Sequence, residues 1–426
     1  MRRLKSIVFN LSDQKDFSKF SGDYNPMHVD PISARRFLFS EPVVHGINVV
    51  LSALESWSSF NKCRFNLSNI NGEFNHPVLL NKEVFIEYKK NKNTHHLQVI
   101  SQNKVCSSIY FKLNNSDNQE TVLILDKFPK KIKPKKNNLE SIRGSEGEVS
   151  LDLKIEYLRL SFPCLYKYSS FNQIACLLSS TRIVGMYCPG MNSIYSSFNF
   201  SFNDKSSKTT FKLDKINRFG FATVAVNGLY NGKIDAILRP DHVNQLKYID
   251  VKKLVVNNEF ENQSALIIGG SRGIGEVTAK ILAAGGAEVL ITYNKGKEDA
   301  KNICNQINSN EGKISMMCYD INNPTIIENF EPTDIYYFAT PNISGGNNGN
   351  FSSDLYNQFS KFYLSSFFNL VNYWKEKKVL NFFYPSTIFV DEMQNDMLEY
   401  SLTKHSAERM CEFLENNNNN IKIFKP

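Results

Sequence analysis

Residues 264–296, SALIIGGSRGIGEVTAKILAAGGAEVLITYNKG, constrain the fold of this chain more than any other stretch. An apolar run rich in β-branched residues leads into a glycine-rich turn, a segment of helical period and a second apolar run. That order is a strand, a turn, a helix and a parallel strand, which requires a sheet covered on both faces. Val277, Ile281 and Leu282 are expected on the helix's interior stripe. Gly269, Gly273 and Gly275 stand at the strand-to-helix turn, where the absence of Cβ lets a diphosphate approach the helix N-terminus.

A second stretch, Phe17 to Asn48, crowds polar chemistry into a short loop. Asp23, Asn25 and His28 surround Gly22 and Pro26, residues that bend a chain. An acid and an imidazole on one tight loop can hold a water molecule between them, and His45-Gly46 adds a polar element before an apolar helix. The order Ser-Gly-Asp-x-Asn-Pro-x-His-x-Asp over Phe20 to Asp30, with Val-Val-His-Gly within Pro42 to Gly46, resembles the MaoC-like (R)-specific enoyl thioester hydratases of hotdog fold. The resemblance implies that Asp23 and His28 hold the water that adds across the 2,3 double bond of a trans-2-enoyl thioester, or leaves in the reverse reaction. It also implies that Asn25 orients the loop, and that the backbone N–H of Gly46 receives the thioester oxygen as charge develops there.

Read in order, the chain divides into 1–127, a hotdog unit with the motif; 128–150, a linker rich in Lys, Pro, Gly and Ser; 151–250, a second hotdog unit without the motif; and 260–426. In the first unit Val44, Ile47, Val50, Leu51 and Leu54 recur at helical spacing. Strands are expected near Lys62–Leu67, Pro77–Tyr88, Thr94–Gln102 and Lys104–Lys112, with Gly72 and Asn81 between strands. The second unit repeats a helix followed by antiparallel strands, and its expected task is to complete the sheet and wall the acyl tunnel. The fold class expected is therefore an α+β double hotdog followed by an α/β Rossmann-type domain.

The glycine pattern Gly-x-x-x-Gly-Ile-Gly resembles the short-chain dehydrogenase/reductase family. What that implies is a coenzyme held by Gly269, Ser271, Arg272, Gly273, Ile274 and Gly275, with Tyr293, Asp320 and Ala339 farther along. No acid follows the second strand in Thr292-Tyr293-Asn294-Lys295, while Arg272 and Lys295 suit an extra phosphate, so NADPH is favoured over NADH. Tyr400 and Lys404, four residues apart, would share a helix face. In the family the ammonium lowers the phenol's pKa and grips the ribose, and the tyrosine protonates a carbonyl as hydride arrives. Ser386 or Thr387 stands close to the family spacing for the hydroxyl that holds the substrate oxygen. Two departures are visible: Tyr363 occupies the place of the family's helix asparagine, and after the Asn416–Asn420 run only IKIFKP follows, which predicts a shortened C-terminus. A naturally shortened domain and a truncated chain are both open.

Composition narrows the remaining classes. A chain of 426 residues, 22% charged and 42% apolar, suits two or three globular domains. Its formal charge of +8 is scattered, which fits an anionic thioester or plain solubility better than nucleic acid. The eight cysteines form no Cys-x-x-Cys pair, so neither a metal centre nor a disulfide framework is expected. Asp13 and Asp16 close behind a short apolar segment do not fit a secretory leader, no apolar run reaches membrane-spanning length, and the cytoplasm is the expected location.

Joined, the two resemblances imply a bifunctional enzyme: reduction of a 3-oxoacyl thioester by NADPH, then dehydration to the trans-2-enoyl thioester, or both in reverse. The acyl carrier would be coenzyme A or acyl carrier protein, and a homo-oligomer is expected from both families. A hydratase with an inactive reductase-like domain is the alternative among enzymes, and an acyl-thioester-binding scaffold the alternative outside them.

Overall fold

The computed structural model describes all residues except 37, 38, 40, 115–123, 203–208, 242–244, 326, 344–349, 376–379 and 419. Three positions of the Phe17–Asn48 stretch and Asn419 of the asparagine run thus lie outside the described residues. The chain forms two compact units, Met1–His242 and Val243–Pro426.

In the first unit ten strands make one antiparallel sheet: β1 (Arg2–Val8), β2 (Leu67–Phe74), β3 (Glu83–Asn91), β4 (Thr94–Ser101), β5 (Lys104–Leu113), β6 (Glu146–Val149), β7 (Ser193–Phe202), β8 (Thr209–Ile216), β9 (Phe221–Asn227) and β10 (Tyr230–Leu238). Their spatial order is β1-β3-β4-β5-β2-β7-β10-β9-β8-β6. Two long helices, Gly46–Asn61 and Phe171–Arg182, pack into the sheet's core. On the first, Ile47, Val50, Leu51 and Leu54 are wholly buried, as their spacing predicts, and Trp57 lies edge-on to Phe65, His95 and Phe111. The two helix-bearing halves join where β2 pairs with β7, Ile70 opposite Phe200 and Gly72 opposite Phe198.

Three expectations for this unit are corrected. The segment Lys62–Leu67 is no strand: the helix runs to Asn61, Lys62 caps it in the left-handed region, and β2 starts only at Leu67. Gly72 lies inside β2 and not between strands, since the Phe198 ring fills the space where its side chain would be. The stretch 128–150 is more than a linker, because its end forms β6 against β8 and Ile142 is fully buried.

The second unit holds a six-stranded parallel sheet of β11 (Ser264–Ile268), β12 (Glu288–Tyr293), β13 (Lys313–Cys318), β14 (Asp334–Tyr337), β15 (Leu380–Phe383) and β16 (Ile421–Phe424), ordered β13-β12-β11-β14-β15-β16. This is a Rossmann-type arrangement. The order reverses between β11 and β14, which opens a crevice at their carboxyl ends. On the helix after β11 (Gly273–Ala284) Leu282 is buried as expected, with Ala279 and Ala283, whereas Val277 is half-buried and Ile281 is 37% exposed, so those two lie off the buried stripe. Tyr248, expected within the 151–250 unit, packs instead with Val251 in this unit's core beside Ala265 and Ile267.

Replacing Leu54 by Ala is expected to cost about 2–5 kcal/mol, because a fully buried leucine leaves a cavity that the sheet cannot close. A lowered urea midpoint followed by far-UV circular dichroism checks it.

Candidate functional site

The motif loop of the first unit begins where the helix Leu11–Ser21 ends on Gly22, whose φ of 76° is the left-handed cap that glycine favours. The chain then turns through Asp23 and Tyr24 to Asn25. Asn25 caps the short helix Pro26–Val29 by accepting from the Met27 N–H, and its amide reaches the Gly190 carbonyl at 3.5 Å. Asp23, Asn25, His28 and His45 are all buried. Nitrogen or oxygen atoms of Asp23, His28 and His45 lie within 4.8 Å of one another.

Each group in this cluster is held from behind. His28 Nδ1 lies 2.8 Å from the Val43 carbonyl, a pure acceptor, so Nδ1 carries the proton and Nε2 presents a lone pair. The ring stacks on His45 at 3.8 Å between centroids. His45 is fixed by Gln14, whose Oε1 faces both its N–H and its Nδ1, and by the Asp23 carbonyl 3.1 Å from Nε2. The Asp23 carboxylate accepts from the Asn25 N–H at 3.1 Å and from the Thr181 hydroxyl at 2.7 Å. Burial pushes Asp23 above the usual carboxylate range, opposed by His28, Thr181 and Asn25. Burial likewise pushes His28 below its ordinary value, opposed by the nearby carboxylate. Burial thus penalises the charge on each group, while their mutual attraction and the donors around Asp23 work against that penalty.

Gly46 is the first residue of the buried helix, so its N–H has no acceptor within that helix and is available to an oxygen. Three contributors were beyond sequence reasoning: Thr181, Gly185 and Met186, whose sulfur lies 3.2 Å from the Tyr24 nitrogen. They belong to the half without the motif. Gly185 lies in the π-helical turn Ile183–Tyr187, where a Cβ would stand 2.2 Å from the Asp23 carboxylate. No local signal marks Thr181, which is 158 residues from its partner.

In the second unit the glycine turn lies at the crevice between β11 and β14. A Cβ on Gly269 would meet the Ala339 nitrogen at 3.0 Å, and one on Gly275 the Gly269 carbonyl at 2.4 Å. Thr292 Oγ1 receives the Gly269 N–H, Ser271 is buried, Arg272 heads the helix, and Ile274 is 69% exposed beside the open Gly273. Tyr293 ends β12. Asp320 lies just past β13 with one carboxylate oxygen taken by Asn322.

Tyr400 and Lys404 do share the helix Leu398–Asn416, yet the expected electrostatics are corrected. The Lys404 ammonium donates to the Pro385 carbonyl at 2.6 Å and rests over the Tyr363 and Tyr384 rings. Burial raises Tyr400 above the ordinary phenol range and brings Lys404 down to about 8. Of the two candidate hydroxyls, Ser386 is bonded to Glu408, whereas Thr387 stands near enough to Tyr400 to draw its phenol back down against burial. Tyr363 packs against the Tyr400 ring and its hydroxyl meets Thr340.

Comparison with known proteins accords with this division. Residues 2–109 match the family model described as MaoC like domain, and residues 263–331 match that of short chain dehydrogenase. The chain carries an N-terminal MaoC-like domain and a C-terminal short-chain-dehydrogenase-like domain. Versicolorin reductase stcU of Emericella nidulans is 27% identical over 93 residues, which is 22% of this chain and 35% of that protein. Among solved structures, FolM alternative dihydrofolate reductase 1 from Brucella canis, complexed with NADP, is 17% identical with a TM-score of 0.36, over 39% of this chain and 72% of that one. A short chain dehydrogenase from Burkholderia cenocepacia J2315 in complex with NADP is 20% identical with a TM-score of 0.36, over 39% and 73%. Among the described residues no helix is long and apolar enough to cross a membrane.

In the first unit, Gly185→Ala is expected to destabilise the fold by about 1–3 kcal/mol, since a methyl there overlaps the Asp23 carboxylate. A thermal melt of the variant against wild type reads it.

Proposed function

We propose that the chain is a bifunctional acyl-thioester enzyme: an (R)-specific hydratase or dehydratase in the first unit, and an NADPH-dependent 3-oxoacyl thioester reductase in the second. The single observation that carries the first activity is the buried Asp23–His28 pair with a bare imidazole nitrogen beside a carboxylate. The two helix-bearing halves joined at β2–β7 are read as a double hotdog with one active site. A water held by Asp23 and His28 loses a proton to the carboxylate as its oxygen bonds to C3 of the enoyl thioester. The electrons of the double bond move toward the thioester carbonyl, whose oxygen the Gly46 N–H stabilises, and C2 takes a proton back from the pair. Asn25 keeps the loop in place. Dehydration is the same path reversed.

The glycine turn suits a dinucleotide, because a Cβ on Gly269 or Gly275 would fill the close approach of strand, helix and β14. Gly269, Ser271, Arg272, Gly273, Ile274, Gly275, Tyr293, Asp320 and Ala339 would line it, with Arg272 and Lys295 suited to the additional phosphate of NADPH. When bound, NADPH supplies the hydride for the 3-oxo carbon. Tyr400 would supply the proton to the carbonyl oxygen, Thr387 would orient that oxygen in place of Ser386, and Lys404, with one ammonium N–H given to the Pro385 carbonyl, keeps two for a ribose. Burial that raises Tyr400 above the ordinary phenol range, with Tyr363 packed on its ring, favours as a second reading a hydratase whose reductase-like domain is silent. The acyl group would arrive on coenzyme A or acyl carrier protein, and a cytoplasmic homo-oligomer is the proposed working form.

On the full chain, loss of the enoyl absorbance of crotonyl-CoA should be seen, and Asp23→Asn should slow it by about 10²-fold or more. Unchanged hydration in that variant would sink the first assignment. Oxidation of NADPH by acetoacetyl-CoA, lost in Tyr400→Phe, is expected of the second site, and no oxidation in wild type selects the silent-domain reading.

A further inference from the structure

We propose that Thr181, from the half of the first unit that lacks the motif, is a positioning residue that favours the charged form of Asp23 and aims it at the water; this rests on the hydratase reading. The helix Phe171–Arg182 offers three hydroxyls in succession. Ser179 and Ser180 turn theirs back to the Cys176 and Leu177 carbonyls, at 2.8 and 2.7 Å. Thr181 instead donates to Asp23 Oδ2 at 2.7 Å, between two side chains that are 3% and 2% exposed. The hydroxyl is thus diverted from the bond its neighbours make.

The helix is built to deliver that contact. Arg182, the next residue, is anchored by the buried Asp152 at 2.9 Å and by the Ser150 carbonyl at 2.8 Å. One turn on, Gly185 leaves the space that the carboxylate occupies. The other Asp23 oxygen is held by the Asn25 N–H of its own loop, so each half of the unit supplies one donor. The titratable groups facing the carboxylate are His28 and His45, and the nearest arginine, Arg182, is committed to Asp152. A hydrogen bond to the charged form favours it, and here it offsets burial that pushes the proton back on.

Thr181→Val keeps the shape and removes the donor. Hydration needs the carboxylate, so activity is lost as pH falls through the Asp23 pKa, and raising that pKa moves the acid limb upward. The limb of the rate–pH profile should rise by about 1 to 2 pH units in Thr181→Val and return in Thr181→Ser. The same displacement should appear in a carboxyl ¹³C NMR titration of Asp23 in the full chain, which needs no turnover. A rate lowered equally at every pH, with the carboxyl titration unmoved, overturns the proposal and leaves Thr181 a packing residue. A shifted carboxyl titration in a chain that hydrates no enoyl thioester overturns the hydratase reading instead.

Discussion

A carboxylate removed from water is the constraint on which the first unit's site depends. Burying an unpaired charge costs several kcal/mol, so Asp23 can occupy its place only with donors at both oxygens. The loop supplies one from the Asn25 N–H, and among the described residues no other of that loop donates to the second oxygen. The missing donor comes from Thr181 on the opposite helix, and its approach requires the bare Cα of Gly185. The pairing of β2 with β7 unites the two halves in one sheet, and Phe198 seated over Gly72 closes that seam. Packing far from the loop thereby decides how close the acid and the imidazole stand.

The histidines show the same dependence. His28 is oriented by the Val43 carbonyl and by the His45 ring, and His45 in turn by Gln14 and the Asp23 carbonyl. Each partner is a backbone atom, a neutral amide or an imidazole whose charged form burial disfavours, so the imidazole of His28 is aimed without adding a charge. The second unit has the opposite arrangement: Lys404 is drawn to a carbonyl and two aromatic faces, and Tyr400 lies among Phe359, Tyr363 and Phe389. Desolvation, and not a neighbouring charge, dominates its acid–base character.

Much of this was legible in the residues themselves. The glycines at 269, 273 and 275 announce a strand-to-helix turn because only residues without Cβ allow so close a crossing, and the parallel order of β11, β12 and β14 follows. Asp23, Asn25 and His28 declare a polar loop through Gly22 and Pro26. The apolar helix expected over 43–60 emerged at Gly46–Asn61, because its apolar period is unbroken. Register and partner choice were harder: Gly72 looked like punctuation until the Phe198 ring explained it, and the strand β6 hid inside a lysine-rich stretch because four residues carry little periodicity.

Sequence alone determined which chemistry is carried locally: a carboxylate and an imidazole five residues apart, a glycine turn, and a tyrosine and lysine on one helix. These depend on short-range geometry, which residue types and spacing encode directly. Only the tertiary structure decided that Thr181 completes the Asp23 shell, that Thr387 and not Ser386 meets Tyr400, and that Lys404 rests on Pro385. Those contacts join residues tens to more than a hundred positions apart, or choose between adjacent side chains, and both are settled by how helices seat against a sheet.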